Sequence, residues 1–391
     1  MKNHKVFRLV LLPIVAISLL SYCGQVEKSN NNNRQLSDKQ IDSIIENMPL
    51  REKIGMMFYV KPECLDTTLV WEEDDDLIAI AMDSVNQTMR DVCDNYPVGG
   101  ILLDFYNVKD SVQLKKFINQ LHSLSSAPLV CMDEEGGRIA RIGKNPNFNV
   151  PRYDSPLSIG ETENPENAYE CGLSIGTYLK HFGVDIDFAP VADVNTNPDN
   201  IVIGDRAFSK DPQIAAKMVT SFLKGLKEAG IIGCLKHFPG HGDTHSDTHF
   251  GGAETLKTWD ELIDCELISF KAGIESGAPM VMTAHISVPK VTDSNVPSTM
   301  SSLILKGKLR GELGFEGVIV SDALEMGAIA QKYSSEEAAI GCILAGCDIV
   351  LYPKDFIKVF DAVAAAAENG TIPQERINES VRRLLKLQTI N

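Results

Sequence analysis

Basic charge is scarce in this sequence of 391 residues: Lys and Arg total 37 against 53 Asp and Glu, a formal net charge of −16. A general binder of phosphate backbones needs basic surface to displace counterions, so nucleic acid is not an expected partner. No C-x-x-C pair occurs among the 9 cysteines, which argues against a disulfide scaffold. Cys131, Cys234 and Cys347 sit in or beside apolar runs, where a thiol acts as a small hydrophobe. Cys64 and Cys93 flank one irregular segment and are the pair that could be bridged. Neither a G-x-x-x-x-G-K-S/T loop nor a strand-linked G-x-G-x-x-G is present, so no nucleotide cofactor is indicated. The N-terminal apolar run, Leu9 to Leu20, has only 12 residues, too few to span a bilayer comfortably as a permanent helix.

What is there describes a globular chain: 44% apolar and 23% charged residues, with 29 Gly and 18 Pro for punctuation. That mix excludes a disordered chain and a collagen-like repeat. The length suits one large α/β barrel or two medium domains. Lys2, Lys5 and Arg8 precede the apolar run, which ends in Leu20-Ser21-Tyr22-Cys23-Gly24. Residues 1–22 therefore read as an export signal, with Cys23 as the lipidated residue and membrane attachment through that lipid. Residues 23–36, including Asn30 to Asn33, read as a flexible polar tether. Residues 37–391 are the expected folded domain, with an insertion at about 61–98.

Eight apolar, β-branched runs alternate with amphipathic stretches: 55–60, 100–105, 129–133, 184–190, 232–238, 280–285, 317–322 and 348–352. Continuous rather than alternating apolar runs indicate strands covered on both faces, as in a parallel sheet. Helix-period segments lie between them at 111–124, 167–182, 212–229, 260–276, 302–313 and 335–345, and 356–367 and 374–387 close the chain. Eight strand–helix units predict a (β/α)₈ barrel, with a doubly wound open sheet as the alternative. The insertion carries Glu72-Glu73-Asp74-Asp75-Asp76, a solvated surface run or part of a lid over the site.

In a barrel, functional groups gather at the C-terminal ends of the strands. Those ends carry Asp133, Lys236 with His237, His285 and Asp322. The densest segment runs from Lys236 to His249 and holds four of the eight histidines, at 237, 241, 245 and 249. On a helix that spacing would stack metal ligands on one face. Pro239, Gly240 and Gly242 make a continuous helix improbable. A catalytic loop, with Asp247 orienting His249 as a carboxylate fixes an imidazole, is the better reading. No metal ligand set is assigned.

KHFPGHG at 236–242 followed by DTH at 247–249 resembles the β-N-acetylglucosaminidases of glycoside hydrolase family three, the group active in peptidoglycan turnover. The similarity extends over most of the chain beyond residue 50. It includes MDEEGGRIAR at 132–141, DFAPVADVNTNP at 187–198, IGDRAF at 203–208, GFEGVIVSDALEM at 314–326 and AGCDIVL at 345–351. The resemblance implies a (β/α)₈ catalytic barrel; some relatives add a second α/β domain, for which no length remains here. It implies Asp322 as catalytic nucleophile and His249 as general acid/base paired with Asp247. It also implies sugar contacts from Asp133, Arg141, Arg206, Lys236 and His237, and no cofactor. An ion pair of Asp133 with Arg206 supporting the rim, and Lys236 as a buried structural cation, are the structural alternatives. Glu134 and Glu135 are rival carboxylates. His241 and His245 have no assigned role and read as solvated loop residues, and His285 as pocket lining. Two departures stand out: residues 61–98 do not match the family pattern, and Ala323 replaces an acidic residue often seen beside the nucleophile.

The implied reaction is retaining: a carboxylate traps the oxocarbenium-like centre while an acid protonates the leaving oxygen. A histidine titrates near neutrality without a large shift, and Asp247 would favour its charged form. The expected product is terminal N-acetylglucosamine from cell-wall-derived or other β-linked glycans or muropeptides. Assistance by the 2-acetamido group is the rival mechanism. A β-glucosidase, an N-acetylglucosaminide phosphorylase, a metal-dependent hydrolase and a catalytically dead sugar-binding lipoprotein are the rival functions.

Overall fold

The computed structural model describes residues 36–69, 81–244 and 252–390. All eight expected strands form: β1 (Phe58–Val60), β2 (Gly100–Leu102), β3 (Leu129–Met132), β4 (Ile186–Asp187), β5 (Ile232–Phe238), β6 (Met280–Thr283), β7 (Val318–Ser321) and β8 (Val350–Leu351). They pair in parallel in the order β7-β6-β5-β4-β3-β2-β1-β8. The parallel bridge Val320 to Ile349 closes the ring, reinforced by Ser321 N donating to Ile349 O at 3.0 Å. Closure decides between the barrel and the open sheet in favour of the (β/α)₈ barrel.

One helix follows each strand. They are α1 (Gln87–Asn95), α2 (Ser111–His122), α3 (Pro165–Phe182), α4 (Pro212–Glu228), α5 (Glu266–Glu275), α6 (Leu303–Glu312), α7 (Ser335–Ala345) and α8 (Phe356–Glu368). Local chemistry sets their ends. Asp110 accepts from Val112 N and Gln113 N, both at 2.9 Å, to start α2, and Gly183 ends α3 at φ +93°, where a side chain would be strained. α3 and α4 pack backbone to backbone: a Cβ on Gly172 would lie 2.3 Å from Phe222 O, and one on Gly225 2.3 Å from Tyr169 O. α6 is π-wound, with Leu313 N reaching Lys308 O.

Several strands are shorter than the apolar runs that mark them, and two other boundaries shift for local reasons. Gly55 belongs to the helix Leu50–Met56 that precedes β1. The segment expected as one helix over 260–276 breaks at Cys265, whose φ −140° and ψ −81° are not helical. The break yields the short helix Trp259–Ile263 and places Glu266 at the start of α5.

The insertion docks by its flanks. Buried Glu63 accepts from Met82 N at 2.7 Å and Asn107 Nδ2 at 2.6 Å, tying it to the loop after β2. The run Glu72 to Asp76 lies outside the described residues, as do the signal, Cys23 and nearly all of the tether. Cys64 and Cys93 are free thiols, so the possible bridge is not formed. Burial pushes both thiols up to about 12.

The N-terminal end of the barrel is locked by one carboxylate. Asp348 Oδ1 accepts from Ser380 Oγ at 2.7 Å, Arg383 Nη1 at 3.1 Å and Arg376 Nη2 at 3.2 Å. Its Oδ2 accepts from Arg310 Nη2 at 2.6 Å and Ile319 N at 3.0 Å. The C-terminal helix Gln374–Gln388 is thereby pinned across β7 and β8. Breaking such a buried set by removing one partner costs about 3–5 kcal/mol. Asp348→Ala should therefore lose about that much unfolding free energy in urea while KM for any substrate stays unchanged; unaltered stability would show that the cluster does not hold the barrel.

Candidate active site

The opposite end collects the chemistry. Glu134 starts it by folding a hairpin around its own carboxylate. Its Oε2 accepts from Arg141 N at 2.6 Å and Ile142 N at 2.9 Å, and its Oε1 from Gly143 N at 2.7 Å and Tyr178 Oη at 2.8 Å. Successive residues on an extended strand point to opposite sides, so Asp133 and Glu135 share the side away from Glu134, over the barrel mouth.

Lys236, at the end of β5, reaches both: Nζ is 2.7 Å from Asp133 Oδ1 and 2.5 Å from Glu135 Oε1. Arg141 returns from the hairpin to Asp133 Oδ2 at 3.0 Å and to Asp104 Oδ1 at 3.1 Å. Arg206 forms a two-pronged pair with Glu135, both contacts 2.8 Å. The geometry differs from the expected rim pair, because Arg206 binds Glu135 while Asp133 takes Lys236 and Arg141. Planar forks of Arg match a carboxylate in this way.

Partners decide the charge states. Burial alone would raise Asp133, but Lys236 and Arg141 hold it below the usual carboxylate range. Burial likewise opposes ionisation of Glu135, and Arg206 and Lys236 outweigh it, holding the group far down. Burial would discharge Lys236, yet Asp133 and Glu135 keep it raised. Asp187 has no such cation in contact. Burial pushes it well above the usual range, and its Oδ1 accepts from Glu134 N at 2.9 Å.

His237 is oriented from below. Its Nδ1 lies 2.7 Å from Asp193 Oδ2, and its Nε2 lies 3.4 Å from Arg206 Nη2. Asp193 Oδ1 also accepts from His241 N at 2.6 Å. His241 is buried, 2% exposed, with Nδ1 at 2.8 Å from Thr244 Oγ1. The solvated reading of His241 is thus corrected: the loop after β5 is packed down, and a Cβ on Gly242 would stand 1.9 Å from Val194 O. Asp243 and Thr255 bond across the two flanks of segment 245–251 at 3.2 Å, and Lys257 joins Asp243 to buried Glu266. Asp247, His249 and His245 lie outside the described residues.

Asp322 follows β7 directly. Its Oδ1 accepts from Ala323 N at 2.8 Å. Burial would raise this carboxyl, but the neighbouring His237 and His285 imidazoles, the Ala323 N–H and Lys236 together hold it below the usual range. It is therefore an ionised, half-buried carboxylate at the barrel mouth, suited to act as a nucleophile. Among the described residues no three His, Cys, Asp or Glu side chains converge as metal ligands.

Residues 49–387 match the glycosyl hydrolase family 3 N terminal domain. The chain belongs to glycosyl hydrolase family 3. Family 3 relatives include β-hexosaminidase A of Pseudoalteromonas piscicida, 35% identical over 338 residues, which cover 79% of this chain and 56% of that protein. β-Hexosaminidase LpqI of Mycobacterium tuberculosis is 32% identical over 312 residues, 77% of this chain and 78% of LpqI. Among solved structures, a family 3 β-N-acetylglucosaminidase from Paenibacillus sp. str. FPU-7 aligns with a TM-score of 0.79 at 32% identity, covering 88% of this chain and 62% of that one. The chain thus spans little more than half of the first of these family 3 proteins and under two thirds of the third.

Of the residues singled out in the sequence, Asp133, Arg141, Arg206, Lys236, His237 and Asp322 stand on this family 3 barrel mouth. Asp193 and Asp104 were not among them, and Glu135 was singled out only as a rival carboxylate, not as the partner of Lys236 and Arg206. Glu135 could have been found from its i, i+2 relation to Asp133 on an extended segment. Asp193 and Asp104 touch their partners only through tertiary contacts, His237 across 44 positions of sequence and Arg141 across the barrel rim.

Opposite pH dependences follow. A carboxyl with a lowered folded pKa contributes stability above its unfolded value and loses it as pH falls; a raised one costs stability as pH rises. Glu135→Gln should therefore cost about 3–5 kcal/mol at pH 7 and progressively less in acid. Asp187→Asn should stabilise the protein at pH 7 relative to wild type, with the gain vanishing toward pH 4. Urea unfolding at both pH values reads the two signs, and a destabilising Asp187→Asn at pH 7 would contradict the upward shift of this carboxyl.

Proposed function

We propose that the chain is a retaining exo-β-N-acetylglucosaminidase that releases terminal N-acetylglucosamine from β-linked glycans, cell-wall fragments among them. The observation that carries this reading is Asp322, ionised and half-buried at the end of β7 near Lys236, His237 and His285. The β-hexosaminidase names of its family 3 relatives support the substrate class.

In the first step an Asp322 carboxylate oxygen attacks the anomeric carbon, and His249, oriented by Asp247, passes its proton to the leaving glycosidic oxygen. The glycosyl–Asp322 ester results. In the second step neutral His249 takes a proton from water, the hydroxide oxygen bonds to the anomeric carbon and Asp322 leaves as carboxylate. Asp133 has spare lone pairs for sugar hydroxyls, while Arg141 and Lys236 fix its orientation. Arg206 spends most of its donors on Glu135, His237 and Val202 O, so its contribution to sugar binding is confined to a remaining Nη1 hydrogen. His237 completes the sugar contacts. Export and attachment to the cell envelope through lipidated Cys23 complete the proposal; the apolar run behind it and the Asn-rich tether support it.

The test is release of a chromogenic aglycone from β-N-acetylglucosaminide and β-glucoside, with and without inorganic phosphate and EDTA. Preference for the N-acetyl substrate is expected. Asp322→Asn and His249→Ala should each lose on the order of 10²–10⁴ in kcat. Phosphate-dependent turnover would make the enzyme a phosphorylase, and EDTA-sensitive turnover with active Asp322→Asn would return the reading to a metal-dependent hydrolase.

A further inference from the structure

The backbone around Asp322 is held on both sides. Asp322 N donates to Thr283 O at 3.1 Å, which ties it to β6. The next peptide group but one, between Ala323 and Leu324, is held at both ends: Leu324 N donates to Leu351 O of β8 at 3.0 Å, and Ala323 O lies 2.9 Å from His285 Nε2. Met326 N also reaches Ala323 O, at 3.2 Å. His285 is thus a side chain that holds this peptide's carbonyl, and it is itself fixed. Its Nδ1 lies 2.8 Å from Thr299 Oγ1, which stands 2.9 Å from Ala284 O. A carbonyl oxygen only accepts, so His285 Nε2 carries a hydrogen.

We infer that His285 is a positioning residue for Asp322, acting through Ala323, whose N–H fixes one carboxylate oxygen and whose C=O the imidazole holds. The inference rests on Asp322 being the nucleophile. The reason is mechanical. The terminal torsion of an aspartate is soft, so without a restraint its oxygens swing through a wide arc. The Ala323 N–H pins Oδ1 and leaves Oδ2 to attack, but the N–H is only as well placed as the Ala323 backbone. That backbone follows directly on β7, where a loop would otherwise turn freely. A misplacement of about 1 Å can cost about 100-fold in rate. Position 323 is Ala, so it contributes through its backbone. His285 was read from sequence as pocket lining; its two hydrogen bonds give it a definite task instead.

The experiment compares His285→Phe, which keeps a flat ring but no donor, with His285→Gln, whose amide N–H can replace the one at Nε2. Thr299→Val leaves His285 in place but removes the group that orients it. Steady-state kinetics on an aryl β-N-acetylglucosaminide and thermal unfolding are read for each. The expected result is kcat lowered about 10–100-fold in His285→Phe with KM within about 3-fold. His285→Gln should recover most of that loss, and Thr299→Val should fall between. Equal kcat in His285→Phe and wild type, or no recovery by His285→Gln in a folded protein, would overturn the inference. Should His285→Phe fail to fold, Thr299→Val decides, since wild-type kcat there would refute positioning through the imidazole. Asp322→Asn is run alongside. Full turnover in that variant would remove the nucleophile and this inference together, whereas an inactive Asp322→Asn with a fully active His285→Phe would sink the inference alone.

Discussion

Lys236 has 2% of its surface exposed, and the barrel mouth is organised around keeping it charged there. Taking an ammonium out of water costs several kcal/mol, recovered only if good partners replace the hydration. Two carboxylates from one hairpin do so, and each then acquires its own arginine. The consequence is a chain of alternating charge from Asp104 through Arg141, Asp133, Lys236 and Glu135 to Arg206. Every side chain in it is held by two others, so the polar groups facing a ligand stand still before any ligand arrives. Such preorganisation spares a binding site the cost of ordering its own side chains.

The two ends of the barrel solve similar electrostatic problems for different purposes. Asp348 gathers Arg310, Arg376 and Arg383 at the N-terminal end and uses them to fasten the last helix across the closing strands. Its oxygens are consumed by the protein. At the C-terminal end the carboxylates keep lone pairs and Asp322 has an oxygen with no backbone donor on it among the described residues. The division matches the general pattern of such barrels, in which one rim stabilises and the other reacts.

Carboxyls at the mouth are moved in opposite directions by contacts a few ångströms long. Asp133, Glu135, Asp193 and Asp322 are held down by cations or donors, whereas Glu134 and Asp187 are pushed up by burial. Glu134 and Glu135 are neighbours in sequence and identical in chemistry. They differ because the pleat of an extended strand sends one to Tyr178 and its own hairpin and the other to Arg206 and Lys236.

Much of this was legible in the sequence. Runs covered on both faces and punctuated by amphipathic stretches determined eight parallel strands, because apolar periodicity reports directly on which faces are buried. The position of polar residues at strand ends put Asp133, Lys236, His237 and Asp322 on one rim for the same local reason. What tertiary structure alone decided was closure of the ring, the choice of partner for each charge, the burial of His241 and the hydrogen bonds of His285. Each of these depends on residues far apart in sequence meeting in space: Val320 with Ile349, Lys236 with Glu135, His237 with Asp193, His285 with Ala323. Local pattern carries the periodicity of a backbone, but a hydrogen bond or ion pair is set by distance, and distance across the mouth exists only once the barrel has closed.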